Sequence, residues 1–335
     1  MERIGPSMIS LREGVALVAN VERVIVGKRE TVEQVVIALL AGGHVLLQDV
    51  PGVGKTMLAR ALARSIGGEV ARVQCTPDLL PADITGSSIL DPRTGELRFV
   101  PGPLFAHVVL ADELNRATPR AQAAFLEALD EGQVTVDGRT HPLPRPFFLL
   151  ATLNPVEHHG TFPLPEGQLD RFMVATSLGY PSGEDELRML ASHVAAHPIE
   201  TLEPVVTVEQ VLALQREVRA VHVSEAVRRY ALELVRRTRT APAVALGCSP
   251  RAGIALLRAA QARAALGGRS FVLPDDVKAL AVPVLAHRLI LRDEGPGEGQ
   301  ATGAGVVDRL LRDVPVPLHA AGAEGSRVAR RRADA

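Results

Sequence analysis

Pro51-Gly52-Val53-Gly54-Lys55-Thr56 is the densest run of chemistry-bearing residues in the chain. Glycines let backbone N–H groups turn inward around a phosphate, and a helix opening at such a turn adds a favourable field. Lys55 would reach the β- and γ-phosphates of a nucleotide, and the Thr56 hydroxyl would ligate Mg2+. The general phosphate-loop pattern begins with a glycine where this chain has Asp49, a departure that Pro51 and Gly52 can absorb by shaping the turn themselves. A glycine-rich turn that binds nothing would not require Lys-Thr after Gly54.

Three further constellations follow. Val108-Val109-Leu110-Ala111-Asp112-Glu113 delivers two carboxylates at the end of an apolar strand, where α/β sheets place ligands. Asp112 would hold Mg2+, directly or through water, and Glu113 would polarise an attacking water. An Asp-Glu pair alone is usually just an acidic helix start; behind a phosphate loop it reads as hydrolytic. Phe148-Leu149-Leu150-Ala151-Thr152-Leu153-Asn154 runs along a strand into Asn154, which in a motor ATPase orients the water; its bland use is to begin the turn before Pro155. Arg171, in Leu169-Asp170-Arg171-Phe172, and Arg251, in Ser249-Pro250-Arg251, are cations able to neutralise a transferring phosphoryl group. Either one alone would be read as a surface ion pair.

These residues need a scaffold. Short apolar runs at 44–48, 70–75, 107–110, 147–151 and 174–177 read as buried parallel strands. Helical spacing falls between them, at about 56–66 and 119–131, and two helices flank a turn at Gly27-Lys28 ahead of them. That alternation predicts an α/β fold, an open parallel sheet in a three-layer αβα core. Turn signals at 91–95 and 137–138 place hairpins at 89–100 and 133–144. After residue 183 only helical periodicities are expected, at 184–196, 208–218, 224–237, 250–266 and 274–291. The expected organisation is a core over 1–181, an all-helical domain over 182–292, and a glycine-rich linker, short helix and basic tail over 293–335.

Composition narrows the class. Thirty-seven Lys+Arg balance 38 Asp+Glu, which argues against a surface built to coat nucleic acid. Two cysteines, Cys75 and Cys248, are too few for a disulfide framework and fit a reducing compartment. The longest apolar stretch, 35–47, is too short to span a bilayer, and no signal peptide is evident, so a cytoplasmic location is expected. Cys75 reads as core; His158-His159 beside Glu157 read as loop polars, because adjacent residues cannot mimic a helical metal motif.

The ordered set Gly52–Thr56, Leu110–Ala117, Ala151–Pro155, Leu164–Phe172 and Ser249–Arg251, with Thr76–Gly86 between, resembles the MoxR family of AAA+ ATPases over about residues 20–318. The resemblance implies an AAA+ core with a helical lid, and ATP and Mg2+ bound between subunits of a ring, a homo-hexamer. Lys55 and Thr56 would belong to Walker A, Asp112 and Glu113 to Walker B, and Asn154 to sensor 1. Arg171 matches the arginine finger and Arg251 the sensor 2 arginine. Val26 and Gly27 fall at the adenine contact, so the binding set is Val26, Gly27, Pro51, Gly52, Val53, Gly54, Lys55, Thr56, Met57 and Asp112. The hairpins match inserts that face the ring pore. Leu153 departs from the family, which more usually has Gln there.

The implied activity is ATP hydrolysis driving chaperone-like remodelling of a protein client, with a separate partner bearing a von Willebrand factor A domain. A nucleic-acid-translocating motor is the alternative, and the hairpins argue against it. A DNA-tracking hairpin should be basic, yet 90–100 sets Arg93 and Arg98 against Asp91 and Glu96. A small-molecule kinase would need an acceptor pocket instead of a lid with Arg251. A non-catalytic scaffold would not need Lys55, Asp112, Glu113 and Arg171 together.

Overall fold

The structure is a computed structural model, and it describes residues 8–154, 161–195, 198–292 and 301–317. Helices α1 (Met8–Glu22) and α2 (Arg29–Ala41) lead into strand β1 (Val45–Gln48), helix α3 (Lys55–Ser65) and strand β2 (Val70–Gln74). A short helix α4 (Pro81–Thr85) precedes the hairpin β3 (Gly86–Leu90) and β4 (Leu97–Pro101). Strand β5 (Val108–Asp112) and helix α5 (Pro119–Glu131) come next, then the hairpin β6 (Gln133–Val136) and β7 (Arg139–Pro142). Strand β8 (Phe148–Leu153), the one-turn helix α6 (Glu166–Leu169) and strand β9 (Val174–Thr176) complete the sheet.

The five strands run parallel in the order β2-β5-β8-β1-β9. Their side chains alternate between two apolar layers. Val45, Leu47, Leu110 and Leu150 face one cluster with α2 and α3, while Leu46, Val109, Leu149 and Ala151 face a second built on Phe125 and Leu129 of α5. Both faces are therefore covered, as a buried parallel sheet requires. Both expected hairpins form, and they touch: Phe99 of β4 stacks on His141 of β7 with ring centroids 3.9 Å apart.

The C-terminal half contains helices α7 (Gly183–Ala195), α8 (Val208–Ala220) and α9 (Glu225–Thr238), strand β10 (Val244–Leu246), helices α10 (Pro250–Leu266) and α11 (Pro274–Leu285), strand β11 (Ile290–Leu291) and helix α12 (Gly303–Asp313). Two expectations need correction. Strands do not stop at 183, because β10 and β11 pair antiparallel. The helix expected over 274–291 ends at Leu285 and passes through one tight turn, Ala286–Arg288, into β11. The cause is Arg288, whose buried guanidinium turns back onto the segment before β9. It bonds Asp170 Oδ1 at 2.8 Å and the Phe172 carbonyl at 2.6 Å. His158-His159, Pro155 and the basic tail Arg327–Arg332 lie outside the described residues, as does linker 293–300.

Candidate functional site

Parallel strands put all their C-terminal ends at one edge, and three of the singled-out segments end there. The loop after β1 carries Pro51 to Thr56. Gly52 and Gly54 adopt φ of 86° and 94°, a left-handed conformation that β-carbons resist, and a Cβ built on either would meet nothing within 4 Å. The loop is thus an open cradle whose backbone takes the conformation only glycine adopts freely. Gly54 caps α3, so the helix N-terminus points into that cradle. Lys55 is buried, and its Nζ donates to the loop's own carbonyls, Asp49 O at 3.1 Å and Val50 O at 3.3 Å. Val53, Thr56 and Met57 are half-buried around it.

Asp112 and Glu113 stand at the exit of β5, one strand beyond β8 in the sheet. Thr152, fully buried on β8, locks both. Its Oγ1 donates to Asp112 Oδ1 at 2.7 Å and accepts the Glu113 backbone N–H at 2.7 Å. Arg72 of β2 donates to Asp112 Oδ2 at 2.7 Å. Glu113 holds φ 57°, ψ 50°, left-handed for a non-glycine residue, a strain of the sort found at functional sites. Its carboxylate accepts from Gln74 Nε2 at 3.0 Å and from Arg116 at 3.1 Å. Asn154 is buried at the exit of β8, next to β1. Sequence reasoning missed Thr152, Arg72 and Gln74, whose partners lie 39 or 40 residues away along the chain. Cys75 is core as expected: burial, with Asp112 and Glu113 nearby, pushes its thiol up to about 12.

Val26 and Gly27 sit in the turn between α1 and α2, and Gly27 abuts the start of α7: a Cβ there would lie 2.1 Å from Asp185 Oδ2. Arg171 and Arg251 are not brought to the loop of their own chain. Both bond Asp130 in the last turn of α5, Arg171 through Nη1 to Oδ2 and Arg251 through Nη1 to Oδ1 at 3.1 Å. Helix α5 returns from the exit of β5 to the opposite edge, where the Leu129 carbonyl meets His44 Nε2 at the entrance of β1 (3.3 Å). The arginines therefore occupy the edge at which strands enter, and the phosphate loop the edge at which they leave.

The donors fit a nucleotide with Mg2+. Thr56 and Asp112 offer hard oxygens of the kind this cation takes with phosphates and water. Among the described residues no group of three His, Cys, Asp or Glu is arranged to hold a metal alone.

A phosphate loop after β1, acidic and polar exits on the neighbouring strands, and a following helical region define the AAA class of ATPase. The family model "ATPase family associated with various cellular activities (AAA)" matches residues 44–174, and "AAA lid domain" matches 236–309. The chain is 52% identical over 301 residues to Uncharacterized protein YeaC of Bacillus subtilis, covering 90% of this chain and 94% of that one. It is 38% identical to Chaperone MoxR1 of Mycobacterium tuberculosis, over 89% of this chain and 81% of the relative. Protein MoxR of Paracoccus denitrificans is 32% identical, at 89% and 95% coverage. A solved structure from Cytophaga hutchinsonii, provisionally assigned as an ATPase, superposes with a TM-score of 0.87 at 36% identity, covering 93% and 97% of the two chains. The chain belongs to the MoxR family of AAA+ ATPases. No helix among the described residues is long and apolar enough to cross a membrane.

Proposed function

We propose that this protein hydrolyses ATP to ADP and phosphate at a site shared by two subunits of a homo-hexameric ring, and uses the energy to remodel a protein client. The observation that carries the reading is the division of the sheet's edges: Lys55, Asp112, Glu113 and Asn154 gather at one, Arg171 and Arg251 at the other. A ring of head-to-tail contacts brings one subunit's exit edge against its neighbour's entrance edge. Val26 and Gly27 would take the adenine and 51–57 the phosphates. Lys55 would swing from the Asp49 and Val50 carbonyls to the β- and γ-phosphates. Thr56 and Asp112 would hold Mg2+, whose charge offsets that of the phosphates when bound.

Glu113 would accept a proton from the attacking water, and Asn154 would orient that water. Gln74, now bonded to the Glu113 carboxylate, would have to release it for that work. Arg171 and Arg251 would leave Asp130 for the neighbour's phosphates. The helical half from 182 to 292 would serve as the lid. The relative named as a chaperone supports a protein client; a separate von Willebrand factor A domain partner, pore-facing hairpins and a cytoplasmic location rest on the family resemblance.

Titration with a fluorescent ATP analogue, alongside phosphate release, tests the assignment. Lys55→Ala should lose binding. Glu113→Gln should bind as the wild type does and turn over about 100-fold more slowly or worse. Equal loss of affinity in both variants would refute the roles.

A further inference from the structure

Asp49 stands where the general phosphate loop has glycine, and it is nearly fully buried, at 4% exposure. Its carboxylate points away from the loop. Oδ2 accepts the Leu178 N–H at 2.6 Å and Oδ1 accepts the Gly179 N–H at 2.9 Å, across 129 and 130 residues of chain. Those two amides belong to the linker between β9, which ends at Thr176, and α7, which begins at Gly183. The main chain of the same residue faces the site: its carbonyl accepts Lys55 Nζ, and its N–H donates to the Leu153 carbonyl at 3.2 Å, one residue before Asn154.

The linker is tied on its other side to the turn that carries Val26 and Gly27. Lys28 Nζ donates to the Tyr180 carbonyl at 2.7 Å, and Thr31 Oγ1 to the Ser177 carbonyl at 2.8 Å. Gly27 leaves no room for a side chain against Asp185 of α7. Segment 177–185 is thereby laced between the two halves of the nucleotide site.

We propose that Asp49 is a positioning residue that couples the phosphate loop to the core–lid linker, so that lysine leaving the Asp49 carbonyl for a phosphate is transmitted to α7. The inference rests on the ATPase reading above. The chemistry is specific to a carboxylate. Each oxygen takes one N–H, whereas an asparagine offers one acceptor and sets an NH2 donor against the second N–H. Glycine, the usual occupant, would leave both amides buried without a partner.

Two readouts on the full-length protein test it, each without nucleotide and with a non-hydrolysable ATP analogue. The first is hydrogen exchange over 174–183. The second is the distance between spin labels at Arg120→Cys on α5 and Glu225→Cys on α9, both exposed positions, the native Cys75 and Cys248 being buried. In the wild type the analogue should change both. In Asp49→Asn the Leu178 and Gly179 amides should exchange about tenfold faster, as the loss of one charge-assisted hydrogen bond implies. The label distance should no longer respond, while affinity for a fluorescent analogue changes by less than about tenfold.

If Asp49→Asn keeps a wild-type distance response, Asp49 merely satisfies two buried amides and the proposal is overturned. Wild-type protein that binds the analogue with an unmoved linker overturns it too, without touching the ATPase reading. Wild-type protein that fails to bind overturns both. Asp49→Ser, which keeps one short acceptor, is the second variant should the asparagine protein not fold.

Discussion

Mixing two inactive variants measures whether the active site spans subunits. β1 is four residues long, and Met173 N–H bonds the His44 carbonyl at its entrance, so Arg171 starts level with that entrance. The phosphate loop begins past Gln48, about 13 Å further along the strand at about 3.3 Å per residue. Arg171 moreover points to Asp130 at the entrance edge, so its guanidinium cannot serve the loop of its own chain without unpairing the sheet. Arg171→Ala alone should bind ATP nearly normally and hydrolyse it about 1,000-fold more slowly, the cost of losing an arginine finger.

Lys55→Ala alone should be inactive. In a 1:1 mixture that exchanges subunits, a site is competent when an Arg171→Ala subunit supplies Lys55 and a Lys55→Ala neighbour supplies Arg171. Random head-to-tail assembly makes about one quarter of the interfaces competent, and sets that fraction of wild-type phosphate release as the ceiling. Pulldown of one tag through the other first establishes exchange. Exchange without any recovered activity, at every mixing ratio, would refute the trans geometry and the edge argument beneath it.

Two other changes follow from buried polar contacts. Arg288→Met takes the guanidinium from Asp170 Oδ1, leaving Ser249 on Oδ2 and His287 Nε2 on the Phe172 carbonyl, and should cost about 3 kcal/mol in urea unfolding; a loss within experimental error would mean that the lid's grip on segment 170–172 adds nothing. His44 is neutral when folded: its Nδ1 accepts the Leu149 N–H at 3.1 Å, and burial lowers its pKa to about 4. The unfolded chain takes the proton near pH 6.5, so this stabilisation is complete above that pH and declines as pH falls toward 4, by about 2 kcal/mol between pH 7 and 5. His44→Phe should flatten that slope relative to the wild type, and parallel slopes would refute the assignment.

The candidate motifs were legible because each is contiguous: Gly52 to Thr56 and Leu110 to Glu113 set their chemistry-bearing residues within a few neighbouring positions. The central strands β1, β5 and β8 were legible because both faces are covered, which makes them apolar runs, whereas the edge strand β2, expected as buried, is largely exposed and keeps only Val73 in the core. The two short strands were not. Val244–Leu246 has three residues and Ile290–Leu291 two, too few for any period, and Leu289 to Leu291 prolong the apolar spacing of α11 past the turn that Arg288 imposes. Thr152, Gln74 and Asp130 escaped notice for another reason. A threonine in an apolar strand, a glutamine on an edge strand and an acid in a helix's last turn have no local signature, and only the pairing of β5 with β8 and with β2 and the return of α5 give them partners.

Asp130 also bears on how a ring could switch. One carboxylate serves two guanidiniums, so the three side chains together carry a net positive charge at the entrance edge. Asp130 is about a quarter exposed, Arg171 slightly more and Arg251 about half, and ion pairs so exposed are worth about 0.2–1 kcal/mol each. On the proposed trans geometry, a triphosphate brought up by a neighbour would carry several negative charges and accept bidentate bonds from the arginines, enough to outweigh that hold. On that geometry the carboxylate would keep Arg171 and Arg251 folded against their own subunit until a loaded neighbour arrives. It then becomes a like charge beside the phosphates, which favours their release back to Asp130 once the γ-phosphate has gone.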